Sequence, residues 1–133
     1  LYGGEMSAHH YFREFSFCDS GMLPWLLVAE LLSRSGKTLA ECLDDRMEKF
    51  PCSGEINSTV DDVKTVLSRV EQAYLPLNPD MNKIDGLSMD FGKWRFNLRG
   101  SNTEPVLRLN VETRADKNLL EEKTAELLKL IRA

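Results

Sequence analysis

Along residues 94–113 apolar and polar side chains alternate twice, on either side of a short polar interruption. Trp94, Phe96 and Leu98 alternate with Arg95, Asn97 and Arg99, and then Leu107, Leu109 and Val111 alternate with Arg108, Asn110 and Glu112. A period of two marks strands with one dry face and one wet face. Just upstream, Leu87, Met89 and Phe91 alternate with Ser88 and Asp90, and Gly92-Lys93 suits a two-residue hairpin turn of the Gly-X kind. Residues 55–57 read as a further short strand. Val60, Val63, Leu67, Val70 and Tyr74 follow at helical spacing, with Ser58 and Asp61 as the expected caps. Residues 75–82, with Pro76 and Pro79, read as a loop. Asp116 is the expected cap of a last helix that sets Leu120, Thr124, Leu127 and Ile131 on one face. The order β-α-β-β-β-α predicts an α+β unit: a four-stranded antiparallel sheet, with two helices covering the face that carries Trp94, Phe96, Leu98, Leu107, Leu109 and Val111.

The first fifty residues are patterned differently. Leu1 and Tyr2 read as the end of a strand entering a loop, where Gly3 and Gly4 permit a sharp turn. Tyr11, Phe12, Phe15 and Phe17 predict a core strand or extended connector. Asp19 and Ser20 are candidate caps for a helix reaching about Ser33, with Pro24 tolerated near its first turn and Gly36 as the stop. The run Trp25-Leu26-Leu27-Val28-Ala29 is apolar on nearly every side and calls for cover on more than one face. Thr38 with Glu41 forms a capping box for a second helix over about 38–49. Pro51-Cys52-Ser53-Gly54 is the best boundary signal in the chain. The expected organisation is therefore a partial α/β domain of two helices over 1–50, followed by a complete domain over 51–133.

Charge narrows the chemistry. The 133 residues carry a net charge of −4, with 17 basic and 21 acidic side chains, which excludes neither small anions nor proteins but gives no global pull on nucleic acid or anionic membrane. Lys93, Arg95, Arg99, Arg108 and Arg114 nonetheless outnumber Glu104 and Glu112 locally. A basic island on an acidic chain suits a small anionic ligand better than a polymer. Cys18, Cys42 and Cys52 are odd in number and widely spaced, which points to a reducing, cytoplasmic setting and to buried apolar roles rather than a disulfide or zinc framework. The longest apolar run, residues 22–32, is shorter than the roughly 20 residues of a membrane span. The chain starts at Leu1 without an initiator Met and reads as the later part of a longer protein.

The interruption between the two strands, Arg99-Gly100-Ser101-Asn102-Thr103-Glu104-Pro105, gathers a guanidinium, two hydroxyls, an amide and backbone N–H groups, the donors that a phosphate group takes. It resembles the phosphate-binding loop R-x-S-N-T-x-P of the α-D-phosphohexomutases. Gly4-Glu5-Met6-Ser7-Ala8-His9 resembles the same family's sugar-binding loop G-E-M-S-G-H, with Ala8 in place of the usual Gly. Both motifs, in this order and with Asp19-Ser20-Gly21 between them, extend the resemblance over the whole chain, as the end of the third domain and the complete fourth. Met6, Asn102 and the segments H-H-Y-F-R and D-S-G-M-L-P-W resemble the phosphomannomutase branch that supplies GDP-mannose for surface polysaccharides.

The resemblance implies a TATA-box-binding-protein-like last domain and an isomerase that moves a phosphoryl group between positions of a hexose through a bisphosphorylated hexose. It implies a phosphoserine and a Mg2+ ion held by upstream domains, whose motifs this sequence lacks. Arg99, Ser101, Asn102 and Thr103 match the residues that grip the non-reacting phosphate. Glu5 and Ser7 match residues that bind sugar hydroxyls, and His9 matches a general acid or base. The chain alone is expected to be inactive, with a phosphohexose and its own missing N-terminal domains as partners. No nucleic acid and no membrane partner is expected. A glucose-preferring mutase, and a free-standing phosphate- or nucleic-acid-binding module, are the competing expectations. Arg108, on the wet face, is expected to pair with Glu112 or a neighbour.

Overall fold

The structure, a computed structural model, describes every residue except Met6, Ser7, Asn102 and Thr103. The chain divides into two compact units, residues 1–44 and 45–133, and the division falls inside a helix.

In the first unit, strands β1 (Tyr2–Gly4) and β2 (His10–Phe12) pair antiparallel, with Gly3 opposite Tyr11. The aromatic segment is thus a short strand that ends in a single helical turn at Arg13–Phe15. Helix α1 (Met22–Ser35) follows, stopped by Gly36 in the left-handed region at φ 67°. Its N-cap is Gly21, without a side-chain cap, and Ser20, one residue earlier, accepts from the Leu23 N–H at 3.3 Å. Asp19 does not cap; its carboxylate is taken by the hairpin, as described below. Helix α2 (Leu39–Lys49) opens on the expected capping box, in which Thr38 Oγ1 accepts from Glu41 N and Glu41 Oε2 accepts from Thr38 N. Neither helix has a buried residue among those described.

The second unit holds the core. Five strands among the described residues form one antiparallel sheet in the order β3-β7-β6-β5-β4, with β3 Ile56–Thr59, β4 Asp80–Asn82, β5 Leu87–Asp90, β6 Trp94–Gly100 and β7 Val106–Thr113. The sheet therefore has one strand more than the alternation predicts. Strand β4 lies in the expected 75–82 loop, and its three residues pair Asp80 with Asp90 and Asn82 with Ser88. Three residues are too few to show a period, and an edge strand bonds on one side only, so Pro79 just before it is tolerated.

Helices α3 (Val63–Tyr74) and α4 (Lys117–Ile131) cover one face. That face carries Trp94, Phe96, Leu98, Leu107, Leu109 and Val111, all buried, against Val66, Val70, Tyr74, Leu127 and Ile131. Aromatic side chains fill one end of this layer, where Phe91 stacks on Trp94 at 4.3 Å and Tyr74 meets Trp94 edge-on at 5.7 Å. Asp116 caps α4 as expected, accepting from Leu119 N. Helix α3 is capped by Asp62 instead of Ser58 or Asp61. Ser58 is unavailable because it is a buried residue of β3. The cysteines also differ from expectation: Cys18 and Cys52 are exposed and Cys42 is half-buried. Two of them lie in the first unit, whose helices bury nothing. Among the described residues no helix is long and apolar enough to cross a membrane.

Candidate functional site

Strand β6 runs straight into the candidate phosphate-binding sequence, and the alternation that buries Phe96 and Leu98 turns Arg95, Asn97 and Arg99 to the opposite, open face. Gly100 closes the strand where a side chain would not fit, since a Cβ there would lie 2.9 Å from Val63 Cγ1. The Ser101 N–H donates to Val106 O at 2.8 Å, and Val60 N donates to Pro105 O at 3.2 Å, so both ends of the loop are tied to the sheet. Asn102 and Thr103, expected in the phosphate site, lie outside the described residues.

Arg99 is held from two sides. Its Nη1 lies 3.4 Å from Asp85 Oδ2, and its Nη2 lies 3.7 Å from Glu55 Oε2. The turn carrying Asp85 is pinned, because Asn97 Nδ2 donates to Asp85 O at 2.7 Å and to Ser88 Oγ at 2.9 Å. Gly86 follows at φ 74°, with its backbone so close that a Cβ would sit 2.6 Å from both Leu98 O and Arg99 Cβ. Directly opposite Arg99 on β7 stands Arg108. Of the two expectations for Arg108, Glu112 or a neighbour, the structure has the second. Glu112 faces Arg95 across β6 and β7 and accepts from it twice, at 2.9 and 3.0 Å. Arg108 turns to Glu55 instead, with Nη1 3.8 Å from Oε1.

In the first unit the sugar-loop sequence connects β1 to β2. Its ends are closed by Glu5 N–H donating to His9 O at 2.9 Å and Ala8 N–H donating to Glu5 O at 3.1 Å. Ala8 sits at φ 65°, the left-handed conformation for which a glycine is better suited. Gly4 cannot be replaced cheaply either, as a Cβ there would meet the Tyr2 hydroxyl at 2.6 Å. Ser7 lies outside the described residues. The Glu5 carboxylate accepts from the Tyr11 hydroxyl at 2.7 Å, which raises the pKa of Tyr11.

His9 is partnered by Asp19. Its Nδ1 lies 2.7 Å from Asp19 Oδ2, while Asp19 Oδ1 accepts from His10 N at 3.0 Å. The hydrogen bond to Asp19, and then its charge, lift the pKa of His9 above the usual imidazole value, and the same bond lowers that of Asp19. With Asp19 ionised, neutral His9 keeps its proton on Nδ1 and presents the Nε2 lone pair, which is the arrangement of a proton acceptor. His10 is engaged elsewhere, its Nδ1 2.6 Å from the Tyr2 hydroxyl.

Sequence reasoning did not anticipate Asp19 as the partner of His9, nor Glu55 and Asp85 as partners of Arg99. Asp19 carried a misleading signal, since an acidic residue just before a helix has the local pattern of a cap. Glu55 and Asp85 carried none, because their approach depends on pairing between strands distant in sequence.

Residues 1–50 match the family model described as phosphoglucomutase/phosphomannomutase, alpha/beta/alpha domain III, and residues 55–130 match that described as the phosphoglucomutase/phosphomannomutase C-terminal domain. The chain is 62% identical over 132 residues to a protein named "Phosphohexose mutases" from Xanthomonas campestris pv. campestris (strain B100), covering 99% of this chain and 30% of that one. It is 57% identical over 131 residues to a "Phosphomannomutase" of Escherichia coli (strain K12), covering 98% of this chain and 29% of the relative. It is 51% identical over 133 residues to a "Phosphomannomutase" of Vibrio cholerae, covering 99% and 29%. The chain thus spans about three-tenths of the length of these relatives. A crystal structure of a phosphoglucomutase/phosphomannomutase family protein from Burkholderia thailandensis shares the fold, with a TM-score of 0.65 at 24% identity over 98% of this chain and 28% of that one.

Proposed function

Since the chain belongs to the phosphoglucomutase/phosphomannomutase family, we propose that it is the C-terminal part of a phosphomannomutase that interconverts mannose 6-phosphate and mannose 1-phosphate. The observation that carries the choice of sugar is the 57% identity to a relative named phosphomannomutase. In this reading Arg99, Ser101, Asn102 and Thr103 grip the phosphate that does not react, while Glu5 and Ser7 bind sugar hydroxyls. Charge-assisted bonds to a phosphate are worth about 1.5–3 kcal/mol each. Binding energy at the distal phosphate orients the reacting end of the sugar. Because the intermediate presents either phosphate in turn, this grip reads phosphate and not sugar.

His9, poised by Asp19, takes up or returns the proton of the reacting hydroxyl. The phosphoserine and the Mg2+ ion belong, on this proposal, to upstream domains. Among the described residues no three His, Cys, Asp or Glu side chains gather as metal ligands. The whole enzyme works in the cytoplasm, acts on a phosphohexose and needs its upstream domains, without which these 133 residues are inactive.

Steady-state kinetics of the full-length protein on mannose 1-phosphate and glucose 1-phosphate test the assignment. A higher kcat/KM for mannose 1-phosphate is expected, and a clear preference for glucose 1-phosphate would replace it with a phosphoglucomutase. Arg99→Ala is expected to raise KM at least about 10-fold, the equivalent of one charge-assisted bond. Unchanged kinetics in that variant would remove the loop from the site.

A further inference from the structure

Tyr11 occupies the middle of the small sheet in the first unit, and its hydroxyl has a partner that packing of the ring does not require. The neighbouring Phe12 packs on Tyr2 at 5.0 Å with a ring alone. Tyr11 stands opposite Gly3 of β1 on one side and forms an isolated antiparallel bridge with Asp19 on the other. A Cβ at Gly3 would lie 3.9 Å from Tyr11 Cδ2, so the ring rests against the glycine backbone. From that seat its hydroxyl reaches Glu5, the first residue after β1, and donates to Oε1 at 2.7 Å. The bond raises the pKa of Tyr11 above the usual phenol value, so the hydroxyl keeps its proton and stays a donor across the neutral range.

Glu5 itself is exposed and follows the strand in a loop, where a carboxylate on a flexible stem has several single bonds to fix before it can meet a ligand. A hydrogen bond from a ring seated in a sheet removes part of that freedom beforehand. We propose that Tyr11 is a positioning residue for the sugar, its hydroxyl locking the Glu5 carboxylate in the orientation that accepts a hydroxyl of the hexose. The inference rests on the reading of Glu5 as a sugar-binding residue, and adds a group outside the loop motif. Tyr11 acts through Glu5 and does not touch the sugar, because its proton is engaged by Glu5 Oε1. The His9–Asp19 pair is joined to Tyr11 through the backbone bridge at Asp19, and not through the hydroxyl. Loss of the hydroxyl therefore loosens the hold on the sugar and leaves the histidine pair in place.

The test is a double-mutant cycle in the full-length enzyme. It reads KM and kcat for mannose 1-phosphate, and the inhibition constant of inorganic phosphate, which carries no sugar. Tyr11→Phe keeps the ring against Gly3 and removes the hydroxyl alone. It is expected to raise KM about 5-fold, since the carboxylate stays and its orientation is released, with kcat and the phosphate constant within about 2-fold. Glu5→Ala is expected to raise KM at least about 10-fold. The double variant is expected to match Glu5→Ala, because without the carboxylate the hydroxyl has nothing to hold. An unchanged KM in Tyr11→Phe, with Glu5→Ala raising it, would overturn the proposal and leave Glu5 in the site. A further rise of about 5-fold in the double variant would show that Tyr11 acts independently of Glu5, and would overturn it too. If Glu5→Ala changes nothing, the sugar-binding reading of Glu5 itself fails. A phosphate constant that rises in Tyr11→Phe as much as KM does, with a lowered Tm, would mark the hydroxyl as structural and overturn the proposal. Should Glu5→Ala not fold, Tyr11→Phe decides alone: a KM that rises while the phosphate constant holds supports the proposal, and any other result counts against it.

Discussion

The Asp19 carboxylate spans two neighbours, taking the His9 ring at 2.7 Å and the His10 N–H at 3.0 Å. It therefore fixes the tautomer of His9 and raises its pKa. A raised pKa keeps His9 protonated to higher pH, so a step needing the neutral ring gains its rate at a pH above the ordinary imidazole value near 6.5. Asp19→Asn removes the charge and the strongest bond. The acidic limb of the kcat/KM profile in the full-length enzyme is expected to move to lower pH and the maximum to fall, because an amide also permits the wrong tautomer. An unmoved limb would show that the ionisation seen in kinetics is not that of His9. Immediately before His9 in the loop sequence, Ala8 holds a left-handed conformation at φ 65°. Ala8→Gly is expected to stabilise the full-length protein by about 1 kcal/mol in chemical denaturation, the steric cost of a Cβ there. A loss of stability instead would mean that the entropy of the unfolded glycine outweighs it.

At the scale of elements, the β6–β7 hairpin owes its shape to alternation that is plain in the sequence, and its aim to contacts that are not. Gly86 shows the difference. Its φ of 74° and the 2.6 Å approach to Leu98 O leave no room for a methyl group beside the backbone that carries Arg99. Gly86→Ala is expected to destabilise the second unit by about 2 kcal/mol or more, read by denaturant unfolding, and to raise KM by displacing Arg99. Nothing near Gly86 in the sequence distinguishes it from an ordinary turn glycine; the constraint comes from a strand beginning eight residues later. The dry residues of β5, β6 and β7 were legible because burial imposes a period of two. The stripe of α3 was legible in part: Val70 and Tyr74 are buried as expected, but Val66 is buried where Val63 and Leu67 were expected, Val60 lies before the helix, and the cap is Asp62, one residue past Asp61. Strand β4 was not, since an edge of three residues shows no period. The proposed phosphate loop is suggested by its donors and by the family resemblance, yet Glu55 and Asp85, the partners of Arg99, emerge only once the strands are paired.

Over the whole molecule, burial is divided as unevenly as the sequence pattern. Among the described residues, the buried apolar core, from Val60 to Ile131, lies in the second unit. In the first, α1 leaves Trp25 62% and Leu31 56% exposed and has no buried residue among those described. A 14-residue helix with no packed face is marginal by propensity alone. A sheet buried under two helices opens only with most of its unit. Hydrogen exchange of the 133-residue chain is therefore expected to split by unit. Backbone amides bonded within β6 and β7 should exchange at least about a thousandfold more slowly than in an unfolded chain, as a unit of this size stable by several kcal/mol requires. Amides of α1 should show protection below about tenfold. In the full-length protein, the apolar face of α1 has roughly seventy per cent more of the relatives' length available to cover it, and its amides should become slow. Slow exchange of α1 in the short chain would show that the helix is already covered there, and fast exchange in the full-length protein would show that it is covered in neither.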